Sequence, residues 1–264
     1  MKKKTIIVLA TLLTVAAWGY SNTFSFKLNY FMPRAQNGPN WPNGLWTKEF
    51  NLMSYTKSNF QDTSYGFAYE YFLTQQFSIV IGIDSFSKNK SGYYKDYVGY
   101  EMNDGLWAFD KDYASQNSFL LSHRLNIMIM PIQISFKITP FGRRSKFIPY
   151  ISAGGSLNIW SVRIQGDQIY FKETAEFEDF YGNSLLAYRI YPVDIWEGQG
   201  FGKISFGYQV SGGLMFPVAN RMTLDIEFKY TNAKGKLTGA FQEFGFFDID
   251  IGGYQIALGI NYWF

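Results

Sequence analysis

Eight charged residues stand within runs of alternating hydrophobicity, each opposite the apolar set of its own run: Lys27, Glu70, Asp84, Lys137, Lys203, Asp225, Glu227 and Lys229. If those runs are β-strands, all eight side chains point to the same side of one sheet, because successive strand residues alternate faces. Such a lining could carry ions through an aqueous pore. In a narrow tube it would instead pair off, since a buried charge needs an opposite charge. His123 is the only histidine and follows Ser122, which raises the question of hydrolase chemistry. Neighbouring strand residues face opposite sides, so these two cannot form a nucleophile–base pair with each other, and no motif marks another serine. Between 162 and 200, Asp167, Glu173, Glu176, Glu178, Asp179 and Asp194 outnumber Arg163, Lys172 and Arg189. Their spacing fits no EF-hand, and carboxylates scattered over a long loop read as solvated. No catalytic, cofactor-binding or metal-binding residue is assigned, and no cofactor is expected.

The elements that must position these residues are strands. The clearest run ends the chain: Tyr254, Ile256, Leu258, Ile260, Tyr262 and Phe264 on one face, Gln255, Ala257, Gly259, Asn261 and Trp263 on the other. Its eleven residues match the roughly 9–11 of a tilted membrane-crossing strand. Seven more segments alternate in the same way, around 24–30, 65–71, 77–84, 121–140, 147–154, 204–214 and 222–230. In the fourth of them the apolar set changes from odd (Leu125, Ile127, Ile129) to even (Ile132, Ile134, Phe136, Ile138) near Pro131. This predicts a bulge there, where the missing proline donor costs nothing. Connections alternate between short (73–76, 142–146, 217–220) and long (33–62, 87–118, 162–200, 231–252). Parts of the long loops, such as 168–171 and 187–191, read as strand extensions.

Composition narrows the class. Aromatic residues make up 20% of the 264 residues, with 20 Tyr, 26 Phe and 7 Trp, an excess suited to a boundary between lipid and water. There is no cysteine, so neither disulfides nor thiolate metal sites contribute. Lys2, Lys3 and Lys4 precede a short apolar stretch, Thr5 to Ala17, and small residues at Ala17 and Gly19. Residues 1–21 are therefore expected to be a signal peptide cleaved near 19–21, with the barrel domain at 22–264. Without those three lysines the 24 basic residues fall to 21, equal to the 21 acidic ones. The reason to expect nucleic-acid binding disappears with them.

The rival reading is a soluble eight-stranded barrel with its apolar face inward. Eight strands enclose a lumen just wide enough for side chains. The ring-bearing face is too bulky for that space, whereas the Gly, Ala, Ser and charged face fits it. The large face is therefore expected to meet lipid, giving an all-β transmembrane up-and-down barrel of about eight antiparallel strands. Short periplasmic turns and four long extracellular loops would complete it. The same limit on the lumen, with Tyr150 and Trp263 also pointing in, favours a charge network that plugs the barrel over an open channel.

The leader, the eight alternating runs, the short-long connections and the terminal Tyr254-x-Ile256-x-Leu258-x-Ile260-x-Tyr262-x-Phe264 stripe resemble the small outer-membrane barrels of the OmpA, OmpX and OmpW type. The resemblance implies residence in the outer membrane and contact with its lipid and lipopolysaccharide. It also implies that the terminal stripe is the signal read by the barrel-assembly machinery. It does not choose an activity, because such barrels host many functions. The expectation is a non-enzymatic protein whose loops serve surface interaction or membrane integrity. Uptake of small hydrophobic molecules of the OmpW type is the alternative, and lipid modification a third reading. Loop aromatics (Trp41, Trp46, Tyr93, Tyr94, Tyr97, Trp107, Phe177, Phe180, Tyr181 and Trp196) fit either recognition of an extracellular ligand or packing into an ordered crown.

Overall fold

The computed structural model describes residues 22–142, 145–178 and 181–264; the leader expected at 1–21 lies outside them. Among the described residues twelve strands form: β1 (Thr23–Pro33), β2 (Asp62–Phe72), β3 (Phe77–Tyr93), β4 (Tyr97–Met102), β5 (Gly105–Asp110), β6 (Ser122–Ile138), β7 (Ile148–Glu178), β8 (Ser184–Glu197), β9 (Lys203–Ala219), β10 (Met222–Lys236), β11 (Asp248–Asp250) and β12 (Gly253–Trp263). Helices α1 (Leu45–Leu52) and α2 (Ala240–Glu243) lie in the first and last long connections.

Eight strands make the wall, in the order β1-β2-β3-β6-β7-β9-β10-β12, every neighbouring pair antiparallel. The wall closes through eleven residue pairs between β1 and β12, from Thr23↔Trp263 to Pro33↔Gly253. These are the eight runs that the alternation predicts, several of them longer than the pattern alone delimits. β7 changes partner along its length: residues 148–160 pair with β9, and residues 162–178 pair with β8. Its upper half thus forms a hairpin above the barrel, with β5 and β4 added to the edge of β8.

Facing follows the pleat. On β1 every other residue from Phe24 to Tyr30 is exposed while Thr23, Ser25, Lys27 and Asn29 are buried. β10 and β12 alternate likewise, with Leu224, Ile226, Phe228, Ile256, Leu258 and Ile260 all exposed. Around the wall these apolar side chains form a continuous outer belt, and the polar partners of each strand point in.

The bulge expected at Pro131 does not occur. β6 pairs with β7 in one register from His123↔Gly166 to Ile138↔Ile151, and its odd-numbered residues stay buried along the whole strand. What changes at Pro131 is the chemistry of the inward face, from Gln133, Ser135 and Lys137 below to Ile129, Ile127 and Leu125 above. The β3–β6 ladder skips the pairs at 84–85 and 130–131, where the proline has no N–H to give.

Two adjacent positions test the facing in a chain without cysteine. A cysteine replacing Leu258 should take a fluorophore that lipid-borne spin labels quench. A cysteine replacing Ala257, which is buried, should resist labelling in the folded protein. Lipid-side labelling at 257 would mean the two faces are exchanged.

Candidate functional site

The inward residues build three levels. At the short-turn end Phe72 stacks on Trp263 at 5.4 Å between ring centroids, and Ile148, Tyr150 and Met215 pack into a buried cluster of their own. Above this lies the charged level. Lys27 Nζ donates to Glu227 at 2.9 Å and stands 3.6 Å from Asp225. Lys137 Nζ donates to Glu70 at 2.9 Å and sits 4.0 Å from the centre of the Tyr150 ring. Lys229 Nζ donates to Asp84 at 2.8 Å and to Gln133 at 3.0 Å, and lies 3.7 Å from Glu227. The Tyr150 hydroxyl lies 2.9 Å from an oxygen of Asp225 and 2.9 Å from one of Glu227. All seven charged side chains of this level are buried.

Geometry and electrostatics make this level a seal. In a medium of low polarity each charge is tolerable because an opposite charge and a hydrogen bond meet it directly. Two glycines clear the necessary room. A Cβ at Gly66 would collide with the Asp84 carboxylate, and one at Gly213 would strike the Tyr150 ring where it crosses the lumen. The space left over is a cavity of about 30 Å³, enough for one or two waters and far too small for a solute path.

Seven of the eight charged residues singled out in the sequence therefore meet in one cluster. Lys203 does not. It stands at the upper end of β9, where its Nζ lies 2.7 Å from Glu197 and donates to Thr238 at 2.8 Å. Its position in the alternation is inward, but its height places it above the charged level, among the loops.

The third level is apolar, and the alternation did not reveal it. Phe31, Phe86, Leu125, Ile127, Ile129 and Val162 line the upper wall, and the first long loop fills the space between them. That loop inserts Leu45 and Trp46 of α1 together with Met53, Tyr55 and Phe60, all buried. The Trp46 ring meets Phe60 edge-on at 5.0 Å, and its Nε1 donates to the Asp250 carbonyl at 2.7 Å. The Asp250 carboxylate accepts two bonds from Arg34 at 2.8 Å each and one each from the backbone N–H of Gln36 and Gly252. This bidentate clamp fixes the start of the loop to the barrel rim. On the opposite wall His123 Nε2 lies 2.7 Å from Glu49 of α1.

The loop aromatics divide accordingly. Trp46, Tyr94 and Trp107 are buried, and Phe177 packs on Trp107 and Phe109, so these build the crown. Trp41 lies against Lys234, and Tyr97 packs on Phe171 and Tyr188. Tyr93, Tyr181 and Trp196 are exposed; Phe180 and Asp179 lie outside the described residues. Among the loop acids, Asp194 pairs with Arg163 and Glu173 accepts from Tyr191. Among the described residues no group of three His, Cys, Asp or Glu side chains is placed to hold a metal ion.

An apolar belt outside, a closed ladder and a sealed polar interior together satisfy what hydrocarbon demands of a spanning sheet. The chain folds as a closed eight-stranded antiparallel barrel with an apolar outer belt, the architecture of a membrane-spanning β-barrel.

The sequence matches no family model and no curated protein. Among solved structures the barrel is similar to Neisserial surface protein A, with 11% identity and a TM-score of 0.44 over 93% of this chain and 97% of that one. It is similar to the attachment invasion locus protein Ail of Yersinia pestis, with 10% identity and a TM-score of 0.42 over 93% and 99%. It is also similar to the N-terminal barrel domain of Pseudomonas aeruginosa OprF, with 9% identity and a TM-score of 0.39 over 93% and 98%.

The charged level makes a quantitative prediction. Lys137→Met leaves the buried Glu70 without its counter-charge and is expected to lower stability by about 3–5 kcal/mol. The double variant Lys137→Met/Glu70→Leu should recover most of that loss. Urea titration followed by the heat-modifiable gel shift measures both, and a single-variant loss below about 1 kcal/mol would show that Glu70 reaches water.

Proposed function

We propose that this protein is a non-enzymatic, non-conducting barrel of the outer membrane whose ordered crown serves surface interaction or membrane integrity. One observation carries the reading: the lumen is filled at the charged level by seven paired side chains and above it by the chain's own first loop. A barrel sealed in this way has its lipid-facing belt and its loops left for contact with other molecules. The belt would meet membrane lipid and lipopolysaccharide, and exposed large side chains of the β7–β8 hairpin, Leu186 and Trp196 among them, would offer contact area to an extracellular ligand. The stripe from Tyr254 to Phe264 faces lipid along β12 and its end, as a segment read by the barrel-assembly machinery would.

The other two readings have less support. Uptake of a small hydrophobic molecule needs a pocket at the barrel mouth, and Trp46, Met53 and Phe60 occupy that place. Lipid modification needs a serine beside the histidine. Ser122 is exposed on the outer face while His123 is buried on the inner one, and among the described residues no serine hydroxyl is hydrogen-bonded to His123.

Planar-bilayer recording tests the proposal. The purified protein should show no steady conductance. Replacing residues 37–58 by a short Gly-Ser linker should leave it silent, because the charged level closes the lumen without the loop. Large, stable, ohmic openings in the intact protein would overturn the proposal and restore a pore.

A further inference from the structure

Within the apolar level one contact is unlike its surroundings. The side chains of His123 and Glu49 are each 1% exposed and meet at 2.7 Å. His123 belongs to the wall, on β6, and Glu49 to α1, the helix that the first loop inserts into the mouth. Among the described residues this is the one ion pair between α1 and the wall. The helix is otherwise held by apolar packing, by bonds to backbone carbonyls such as Lys95 Nζ to Phe50, and by neutral or cation–π contacts such as Lys48 over the Phe246 ring.

The site is built for this contact. His123 pairs across the sheet with Gly92 on β3 and Gly166 on β7. A Cβ at Gly166 would press on His123, and one at Gly92 would strike the Tyr55 ring. The Tyr55 hydroxyl donates to the His123 carbonyl at 2.8 Å, and the Tyr94 ring stands perpendicular to the imidazole at 5.8 Å. The ionisable groups acting on the imidazole are Glu49 from α1, Asp167 from β7, and Tyr55 and Tyr94 from the loop segments.

The pair lies above the lipid. It is fifteen residues up β6 from Ile138, on the order of 35–40 Å for a strand tilted by about 45°. The apolar band of such barrels is about 25 Å tall. At this height the outward face of β6 has already changed from Ile132, Ile134 and Phe136 to Arg124 and Asn126.

We propose that Glu49 and His123 form a pH-sensitive latch that holds the first loop in the barrel mouth and releases it when the imidazole loses its charge. Burial by itself pushes the His123 pKa down. The Glu49 carboxylate and its hydrogen bond, with the Asp167 carbonyl and charge, outweigh burial and raise it above the ordinary 6.5. A group whose pKa is raised on folding stabilises fully below its unfolded value, and the stabilisation is lost as pH rises through the folded value. The latch is therefore closed below the ordinary histidine value and opens as pH rises through the raised one. Burial pushes the Tyr55 and Tyr94 hydroxyls far up, so both stay neutral throughout that range. Opening leaves Glu49 as a buried anion facing a neutral ring, and hydration of the carboxylate then favours withdrawal of α1. The wall is untouched, because its other ion pairs contain no histidine, the sequence having no second one.

A nitroxide on a cysteine replacing the exposed Asn51 of α1 tests the latch in the full-length protein, from about pH 5 to about pH 9. The spectrum should be immobilised at low pH and gain a mobile component in a one-proton transition above the ordinary histidine value, while the gel shift of the folded barrel persists. His123→Gln keeps a hydrogen-bond donor but has no charge to lose, so its spectrum should not change with pH. Glu49→Gln removes the counter-charge and should move the transition to lower pH or abolish it. A flat spectrum in the parent protein would overturn the proposal, as would an unshifted transition in either variant.

Discussion

A strand in hydrocarbon cannot leave its amide groups unpaired, and the ladder between β1 and β12 is what meets that demand here. Its eleven pairs join the first and last strands of the wall, so no barrel strand presents a free edge to lipid. Once the sheet is closed at eight strands, the width of the lumen is fixed, and with it which side chains go inside. Large rings are forced outward, where lipid accepts them. Glycine, alanine, serine and a few long polar chains remain for the interior, and the charges among them have no water to turn to.

The charged and apolar levels of the interior are different solutions to this one restriction. At the charged level, three lysines and four carboxylates span the width, and direct contacts between them fix their positions. Higher up, the wall becomes apolar and the space is filled by residues brought in from outside the barrel, on the first loop. The boundary runs near Pro131, where a void of about 10 Å³ separates Asp84 and Asn158 from Phe86 and Ile129.

Much of the wall was legible in the sequence because period two is a direct record of facing when one side is lipid. Lys27, Glu70, Asp84, Lys137, Asp225, Glu227 and Lys229 could be assigned to the interior on that ground alone. The same rule misread β6. It took a change in which residues are apolar as a change in which way they point, although the strand keeps its register through Pro131. Lys203 shows a second limit: alternation gives direction but not height, and this residue lies above the cluster. Glu49 and Asp250 were missed for another reason. Each sits in a long connection, and their partners, His123 and Arg34, are 74 and 216 residues away. The available signal was weak: an acid within the mostly apolar LWTKEFNL segment, and a His123 that no motif explained.

β7 belongs to two structures at once. Its lower half is a stave of the barrel and its upper half is one arm of the tall hairpin, with no break in the chain between them. The nineteen residues from Trp160 to Glu178 amount to on the order of 60 Å of extended chain. Rooted in the membrane and braced on one side by β8, this arm behaves as a mast rather than a tether. Whatever touches the exposed Tyr181 and Leu186 near its tip is met well clear of the lipid surface and at an orientation that the bilayer itself defines. A flexible linker of the same length would offer the reach but not the aim.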